Sequence, residues 1–126
     1  DGVVIVTMPS EVSQAVVKKA VTFAKQMKVP IIGIVENMSG FVCPDCGAKV
    51  DIFKSGGGKK IADDSSVPLL GSIPIDPNIC NDSDAGLAFI VENKNSPASK
   101  VFTEIVKKID QFLENADTHH HKEIKK

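Results

Sequence analysis

The sequence predicts an α/β protein built on a doubly wound, mostly parallel sheet. Three apolar runs rich in valine, isoleucine and leucine, at residues 3–6, 31–35 and 69–73, are typical of strands buried on both faces. A pattern of helical period separates the first two runs, and another closes the chain. Strands that alternate with helices favour parallel pairing, with a right-handed crossover between the first two strands.

The first strand ends at Pro9, and the first helix follows Ser10, whose hydroxyl suits the N-cap position. Glu11 in the first turn complements the positive end of the helix dipole. The helix stops before Pro30, because the residue that precedes a proline avoids the helical conformation. Its predicted core face consists of apolar residues at helical spacing: Val12, Ala15, Val16, Ala20, Phe23 and Met27.

The elements after the second strand are shorter. A weak alternation over residues 49–53 predicts a short strand or hairpin arm, and a short helix is predicted over residues 59–64. A helical turn is expected over residues 78–84, after the third strand. The last helix begins at Ser96 or Pro97. Its predicted core face consists of Val101, Ile105, Ile109 and Phe112.

The composition indicates one globular domain, which we place at residues 1–115, followed by a polar, disordered tail at residues 116–126. The chain has 126 residues, of which 42% are hydrophobic and 25% charged. A net charge of −1 and an isoelectric point of about 6.3 give no general attraction to nucleic acid or to an anionic membrane. The sequence therefore argues against both classes of partner.

Cysteine usage indicates a reducing compartment. The chain has three cysteines, an odd number, and it shows neither a signal peptide nor a long apolar span. We therefore expect a cytoplasmic protein without a disulfide framework. Because the chain enters a predicted strand directly after Asp1, we also expect it to be a piece of a longer chain.

Cys43 and Cys46, in a Cys-Pro-Asp-Cys-Gly turn, are the strongest chemical signal in the sequence. Two thiols at this spacing are typical of half a zinc knuckle, of a redox dithiol, or of half a metal site shared by two chains. Only Cys80 could add a thiol, and an isolated cysteine is more often a small buried apolar residue. The shared site, which suits zinc or an iron–sulfur cluster, is favoured without excluding the other two or a pair of loop cysteines that bind no metal.

Three further features are weaker candidates. The glycines at 56–58, followed by Lys59, lack the spacing of a phosphate-binding loop, so a flexible helix start is the favoured interpretation, although free amides there could meet an anion. Asn37, just past the second strand, could bond a ligand or cap a turn with equal probability. The histidines at 119–121 could bind metal loosely, but a solvated tail is favoured.

Taken together, these features resemble the Mrp/ApbC-type iron–sulfur carrier ATPases, relatives of MinD among the P-loop NTPases. The resemblance runs in order through most of the chain, to about Phe112. The motifs that carry it are Asp-Gly-Val-Val-Ile-Val-Thr-Met-Pro at 1–9, Pro-Ile-Ile-Gly-Ile-Val-Glu-Asn-Met-Ser at 30–39, Cys-Pro-Asp-Cys-Gly at 43–47, Pro-Leu-Leu-Gly-Ser-Ile-Pro-Ile-Asp-Pro at 68–77 and Asp-Ala-Gly at 84–86.

The resemblance implies a homodimer that holds a cluster, [4Fe–4S], between two Cys-x-x-Cys pairs and passes it to apo-proteins. Cys43 and Cys46 match that pair. Asn37 matches a position near the adenine base of the family's nucleotide pocket, and Pro74 and Asp76 match a loop that lines the same pocket.

The family's Walker A loop and Walker B aspartate have no match, so the chain resembles only the C-terminal half of the P-loop NTPase domain, with the Cys-x-x-Cys loop as an insertion. Binding of ATP and Mg²⁺ and hydrolysis of ATP are therefore expected of the full-length parent. We predict no catalytic residue and no ATPase activity in this chain alone. A non-enzymatic zinc-binding interaction module is the alternative function.

Overall fold

The computed structural model describes residues 1–123, with side chains described as far as residue 116, and has the predicted α/β class. The elements follow in the order β1 (Val3–Thr7), α1 (Glu11–Gln26), β2 (Ile31–Glu36), β3 (Phe41–Val42), β4 (Lys49–Val50), α2 (Gly57–Ser65), β5 (Leu69–Ser72), α3 (Pro77–Asp84), α4 (Phe89–Glu92) and α5 (Pro97–Glu123). The predicted strands and helices are all present. Ser10 is the N-cap of α1 as predicted, because its side chain accepts from the amide of Ser13.

The main sheet has the strand order β1-β2-β5, and both pairs of strands are parallel. The strands β3 and β4 form a separate antiparallel hairpin after β2. A single parallel bridge between Phe41 and Ile75 connects this hairpin to the segment that follows β5. The hairpin therefore lies at the carboxyl end of the sheet, where parallel α/β sheets bind their ligands.

Helices cover both faces of the sheet, as a doubly wound fold requires. On one face, Ile5 and Ile34 pack with Val21 of α1 and with Ile61 and Ala62 of α2. The other face carries a second core cluster, which α4 and α5 cover: Ile32, Val35, Leu70, Ile73, Phe89, Ala98 and Ile105. The predicted core face of α5 is confirmed, since Ile105 is buried and Val101, Ile109 and Phe112 pack against this cluster.

The predicted core face of α1 is wrong. Its members lie in solvent, with Val12 77% exposed and Val16 and Phe23 each 64% exposed. The helix instead buries Gln14, Val21 and Ala24. A polar residue can take a core position here because the Gln14 side chain donates to the carbonyl oxygen of Pro9 at 3.0 Å.

The prediction that β1 is buried on both faces is also wrong, because Val6 is 55% exposed. β1 pairs with β2 along one edge, and within residues 1–123 no other strand pairs with it. Val6 and the outer face of α1, defined here as Val12, Val16 and Phe23, are thus apolar residues that the described chain leaves uncovered.

The last helix, α5, continues through residue 123 and so enters the segment that we predict to be a tail. Residues 124–126 lie outside the described residues, and the domain boundary at residue 115 stays a prediction. Over residues 1–123, no helix combines the length and the apolarity that crossing a membrane requires.

Candidate metal centre

The Cys hairpin, defined as residues 41–50, holds both cysteines of the motif in its turn. The pairs Phe41–Val50 and Val42–Lys49 form its ladder. Beyond the ladder, the amide of Cys43 donates to the carbonyl of Ala48, and the amide of Gly47 donates to the carbonyl of Cys43, each at 2.9 Å. Gly47 has a φ of +72°, a conformation that favours glycine. The turn is therefore closed by its own backbone and presents the two thiols together.

The surroundings of Cys43 favour its thiolate form. The backbone amide of Cys46 contributes most to lowering the pKa of Cys43, followed by the amide of Asp45 and by the Cys46 thiol, while desolvation opposes them. Amides that point at a sulfur stabilise its negative charge, which is also what a metal ligand requires. Both cysteines are accessible, since Cys43 is partly exposed and Cys46 is exposed.

The described residues supply only two ligands at this site. No group of three or more His, Cys, Asp or Glu side chains able to hold a metal occurs among them. Cys80 is exposed on α3, where its sulfur lies 3.8 Å from a carboxylate oxygen of Asp84. The preferred interpretation of Cys80 as a buried apolar residue is therefore wrong. The side chains of the histidines at 119–121 lie outside the described residues.

A groove with a volume of about 420 Å³ lies beside the Cys hairpin. Val42 and Pro44 of the hairpin line it, together with Pro74 and Asp76 from the loop after β5. The Asp76 carboxylate also caps α3 by accepting from the amide of Asn78 at 3.0 Å. The structure thus places Pro74 and Asp76 next to the cysteine turn.

Asn37 lines a different cavity, of about 330 Å³, with Thr7, Met8 and the first turns of α1. Its Oδ1 accepts from the amide of Met38 at 2.9 Å, so this oxygen caps the local turn. The structure therefore does not bring Asn37 into one cavity with Pro74 and Asp76. The assignment of these three residues to a nucleotide pocket stays a prediction.

Two of the three glycines in the run, Gly57 and Gly58, pack closely against the rest of the chain, whereas a Cβ on Gly56 would meet nothing within 4 Å. A Cβ on Gly57 would lie 2.3 Å from the carbonyl oxygen of Pro9, and one on Gly58 would lie 2.7 Å from Cβ of Glu36. The amide of Gly58 donates to Glu36 Oε2 at 2.5 Å. The anion at this helix start is therefore the protein's own carboxylate.

The sequence interpretation missed Glu36 as a structural centre. It is 2% exposed and lies at the end of β2, one residue before the segment that leads to the Cys hairpin. The available signal was an acidic residue that ends a buried apolar strand, since a buried carboxylate requires partners.

The family model that matches the chain is the ParA model, described as NUBPL iron-transfer P-loop NTPase, over residues 1–110. The match includes every element from β1 to the middle of α5, the Cys hairpin among them.

Among curated proteins, the iron-sulfur cluster carrier protein of Saccharolobus solfataricus is 47% identical over 114 residues, which are 90% of this chain and 38% of the relative. The carrier protein of Methanocaldococcus jannaschii is 48% identical over 90% of this chain and 39% of the relative. The cytosolic Fe-S cluster assembly factor NUBP2 homolog of Nematostella vectensis is 45% identical over 94% of this chain and 44% of the relative. The chain thus spans about two fifths of the length of these relatives.

Two solved structures show the same fold. A nucleotide-binding protein from Archaeoglobus fulgidus, in complex with ADP, is 38% identical, with a TM-score of 0.63 over 78% of this chain and 39% of that chain. The cell division ATPase MinD of Pyrococcus furiosus is 23% identical, with a TM-score of 0.68 over 86% of this chain and 42% of that chain. The second likeness is one of fold alone.

Proposed function

This chain belongs to the ParA family of NUBPL iron-transfer P-loop NTPases, and on that premise we propose that it is the cluster-holding part of an iron–sulfur cluster carrier. The observation that carries the proposal is the turn of the Cys hairpin, where two accessible thiols lie together and the pKa of Cys43 is lowered. Thiolates are the ligands that iron–sulfur clusters require. The relatives named as carriers support the same role.

The proposal includes a homodimer, because the described residues of one chain offer too few ligands. A [4Fe–4S] cluster takes four thiolates, and Cys43 and Cys46 provide two. A two-fold axis through the cluster would place the same pair of each protomer on it. The apolar side chains of Val42 and Val50, which are exposed on the Cys hairpin, would then be covered by the partner.

Transfer of the cluster to apo-proteins is the proposed outcome of this geometry. A cluster at the exposed tip of a hairpin would be accessible to the cysteine thiolates of an acceptor, which are the ligands that such clusters take. We place this activity in the cytoplasm, the compartment named for the Nematostella vectensis relative.

ATP dependence is proposed only for a full-length parent. In this chain the amide of Gly58 already bonds Glu36, so the glycine run does not offer a free cradle for phosphates. We therefore expect the purified chain to release no phosphate from ATP and Mg²⁺. Phosphate release above the rate of a matched blank would contradict this part of the proposal.

Anaerobic reconstitution with iron and sulfide tests the proposed function. We expect a brown, oxygen-sensitive protein with about two iron atoms per chain, as a cluster shared by two chains requires. Cys43→Ser and Cys46→Ser should each abolish the colour. Cys80→Ser is the matched control, because this exposed cysteine lies on α3, outside the hairpin, and should leave the iron content unchanged.

Zinc binding is the outcome that would replace the proposal. If the protein stays colourless, holds one tightly bound zinc per two chains and binds no iron, the chain is a zinc-binding interaction module. A reversible disulfide between Cys43 and Cys46 that reduces a partner protein, without iron binding, would identify a thiol oxidoreductase.

A further inference from the structure

Glu36 is a buried carboxylate that forms no ion pair with any residue whose side chain the structure describes. It is 2% exposed. Its Oε1 accepts from the hydroxyl of Ser39 and its Oε2 from the amide of Gly58, both at 2.5 Å. A buried carboxylate that accepts from two neutral donors requires both of them, because water cannot replace a lost partner there.

One of these donors is the start of α2. The N-cap residue Gly56 provides no side chain that could bond the free amides of the first turn. Glu36, from a strand 22 positions earlier along the chain, takes this role through Gly58. The positive end of the helix dipole adds to the stabilisation of the carboxylate. Glycine at position 58 permits the approach, since any Cβ there would meet Glu36.

The other donor, Ser39, begins the segment that leads into the Cys hairpin. The amide of Ser39 donates to the carbonyl of Ile73 at 2.9 Å, and the amide of Ile75 donates to the carbonyl of Gly40 at 2.8 Å. Between Glu36 and Ser39, Met38 adopts a φ of +56°, which is unfavourable for a residue with a side chain. Hydrogen bonds must hold this turn: the backbone bonds to Ile73 anchor it to the segment after β5, and the local Ser39–Glu36 bond closes it directly.

We propose that Glu36 is a positioning residue for the Cys hairpin: its carboxylate joins the start of α2 to Ser39 and so fixes the base from which Cys43 and Cys46 extend. This inference rests on the proposed function for its consequence, the retention of a cluster. The positioning of the hairpin by Glu36 does not depend on that function. A glutamine at this position would retain the size of the side chain but remove its charge. Its NH2 group cannot accept from the amide of Gly58, and it can face Ser39 only by reversing that hydrogen bond and donating to the hydroxyl.

Hydrogen exchange of the apo chain tests whether Glu36 positions the Cys hairpin. In Glu36→Gln we expect the amides of Ser39 and Ile75 to exchange about tenfold faster, as loss of a buried charge-assisted hydrogen bond implies. The amide of Ile34, which donates to Pro68 within the sheet, should keep its rate. Ile61→Val, which alters a buried residue of α2 but removes no hydrogen bond of Glu36, is the control for a general loss of stability.

A second pair of variants keeps the test valid if Glu36→Gln does not fold. Ser39→Ala removes the hydroxyl donor, and Ser39→Thr retains it. We expect faster exchange at Ile75 in the alanine variant and the wild-type rate in the threonine variant. Equal rates in these two variants, or an equal effect of Ile61→Val at the same residues, would overturn the proposal.

Release of iron from the reconstituted chain to a chelator tests the consequence. We expect release to be about tenfold faster in Glu36→Gln and Ser39→Ala, and unchanged in Ser39→Thr and Ile61→Val, because only the first two free the base of the hairpin. Wild-type release in all four variants would overturn the role in cluster retention. If the wild-type chain takes up no cluster, the proposed function fails, and the exchange rates still decide whether Glu36 positions the hairpin.

Discussion

Cys43 and Cys80 show how local surroundings separate two chemically identical side chains. The sulfur of Cys43 faces backbone amides within a closed turn, whereas that of Cys80 lies beside the carboxylate of Asp84. Sequence spacing predicted the pairing of Cys43 with Cys46. It could not predict the exposure of Cys80, because an isolated cysteine has no pattern that indicates which face of a short helix is buried.

Alkylation of Cys43 should depend on pH and on folding. The amides of Cys46 and Asp45 lower the pKa of Cys43 in the folded chain, so its thiolate persists to lower pH there than in the unfolded chain. A lowered pKa also means that this contribution to stability is lost as the pH falls through the folded value. In Cys46→Ala/Cys80→Ala, which retains the amide at position 46, the midpoint of iodoacetamide reaction should be lower in buffer than in urea. Equal midpoints would contradict the role of the amides.

Gly58→Ala should destabilise the chain by about 1–3 kcal/mol, the usual cost of forcing extra volume into a packed site. The added Cβ would lie 2.7 Å from Cβ of Glu36. Both are Cβ atoms bonded directly to the backbone, so neither can move away by a side-chain rotation. Urea unfolding measures the change. Lys60→Ala, on the exposed side of the same helix, is the control and should change the free energy of unfolding by less than about 0.5 kcal/mol.

At the scale of elements, apolar runs and breakers were sufficient to predict the strands β1, β2 and β5 and the start of α5. The orientation of α1 was not predictable, because the helix carries two apolar stripes and only tertiary contacts choose between them. The polar side chain of Gln14 made the buried stripe hard to recognise from sequence. Its burial becomes favourable only when the fold brings the carbonyl of Pro9 within hydrogen-bonding distance. Glu36 was missed for the same reason: its partners Ser39 and Gly58 come together only in the fold.

Matched substitutions of valine by alanine distinguish the two stripes of α1. Val21→Ala should cost about 1–3 kcal/mol of unfolding free energy, because Val21 is buried against Ile5, Ile34 and Ile61. Val16→Ala should change it by less than about 0.5 kcal/mol, since Val16 is largely exposed. Chemical denaturation of both variants provides the measurement. A larger loss for Val16→Ala would mean that the stripe predicted from sequence is the buried one after all.

In the whole molecule, the two edge strands of the sheet, β5 and β1, differ in whether another element covers them. α5 packs on β5, and the Lys108 ammonium donates to the carbonyl of Leu70 at 2.6 Å. β1 has no such cover in the described chain, and Val6 and the outer face of α1 continue its apolar surface. Unprotected edges and apolar patches favour association.

We therefore expect the metal-free chain to associate as its concentration rises, and Val16→Lys to reduce this association in sedimentation velocity runs. The new charge would lie on the outer face of α1, where contact with another molecule would bury it. Val91→Lys is the matched control, because Val91 is similarly exposed but lies on α4. An equal effect of both variants would exclude the outer face of α1 as the surface of association.

We propose that the Cys hairpins of two chains hold one cluster, and native mass spectrometry of the reconstituted chain is the decisive measurement. The Val16→Lys variant serves here, so that association through α1 does not add to the signal. We predict a species of two chains with four iron and four sulfide, which disappears in Cys43→Ser and persists in Cys80→Ser. A single chain that retains iron and sulfide by itself, or a dimer that carries only zinc, would contradict the claim.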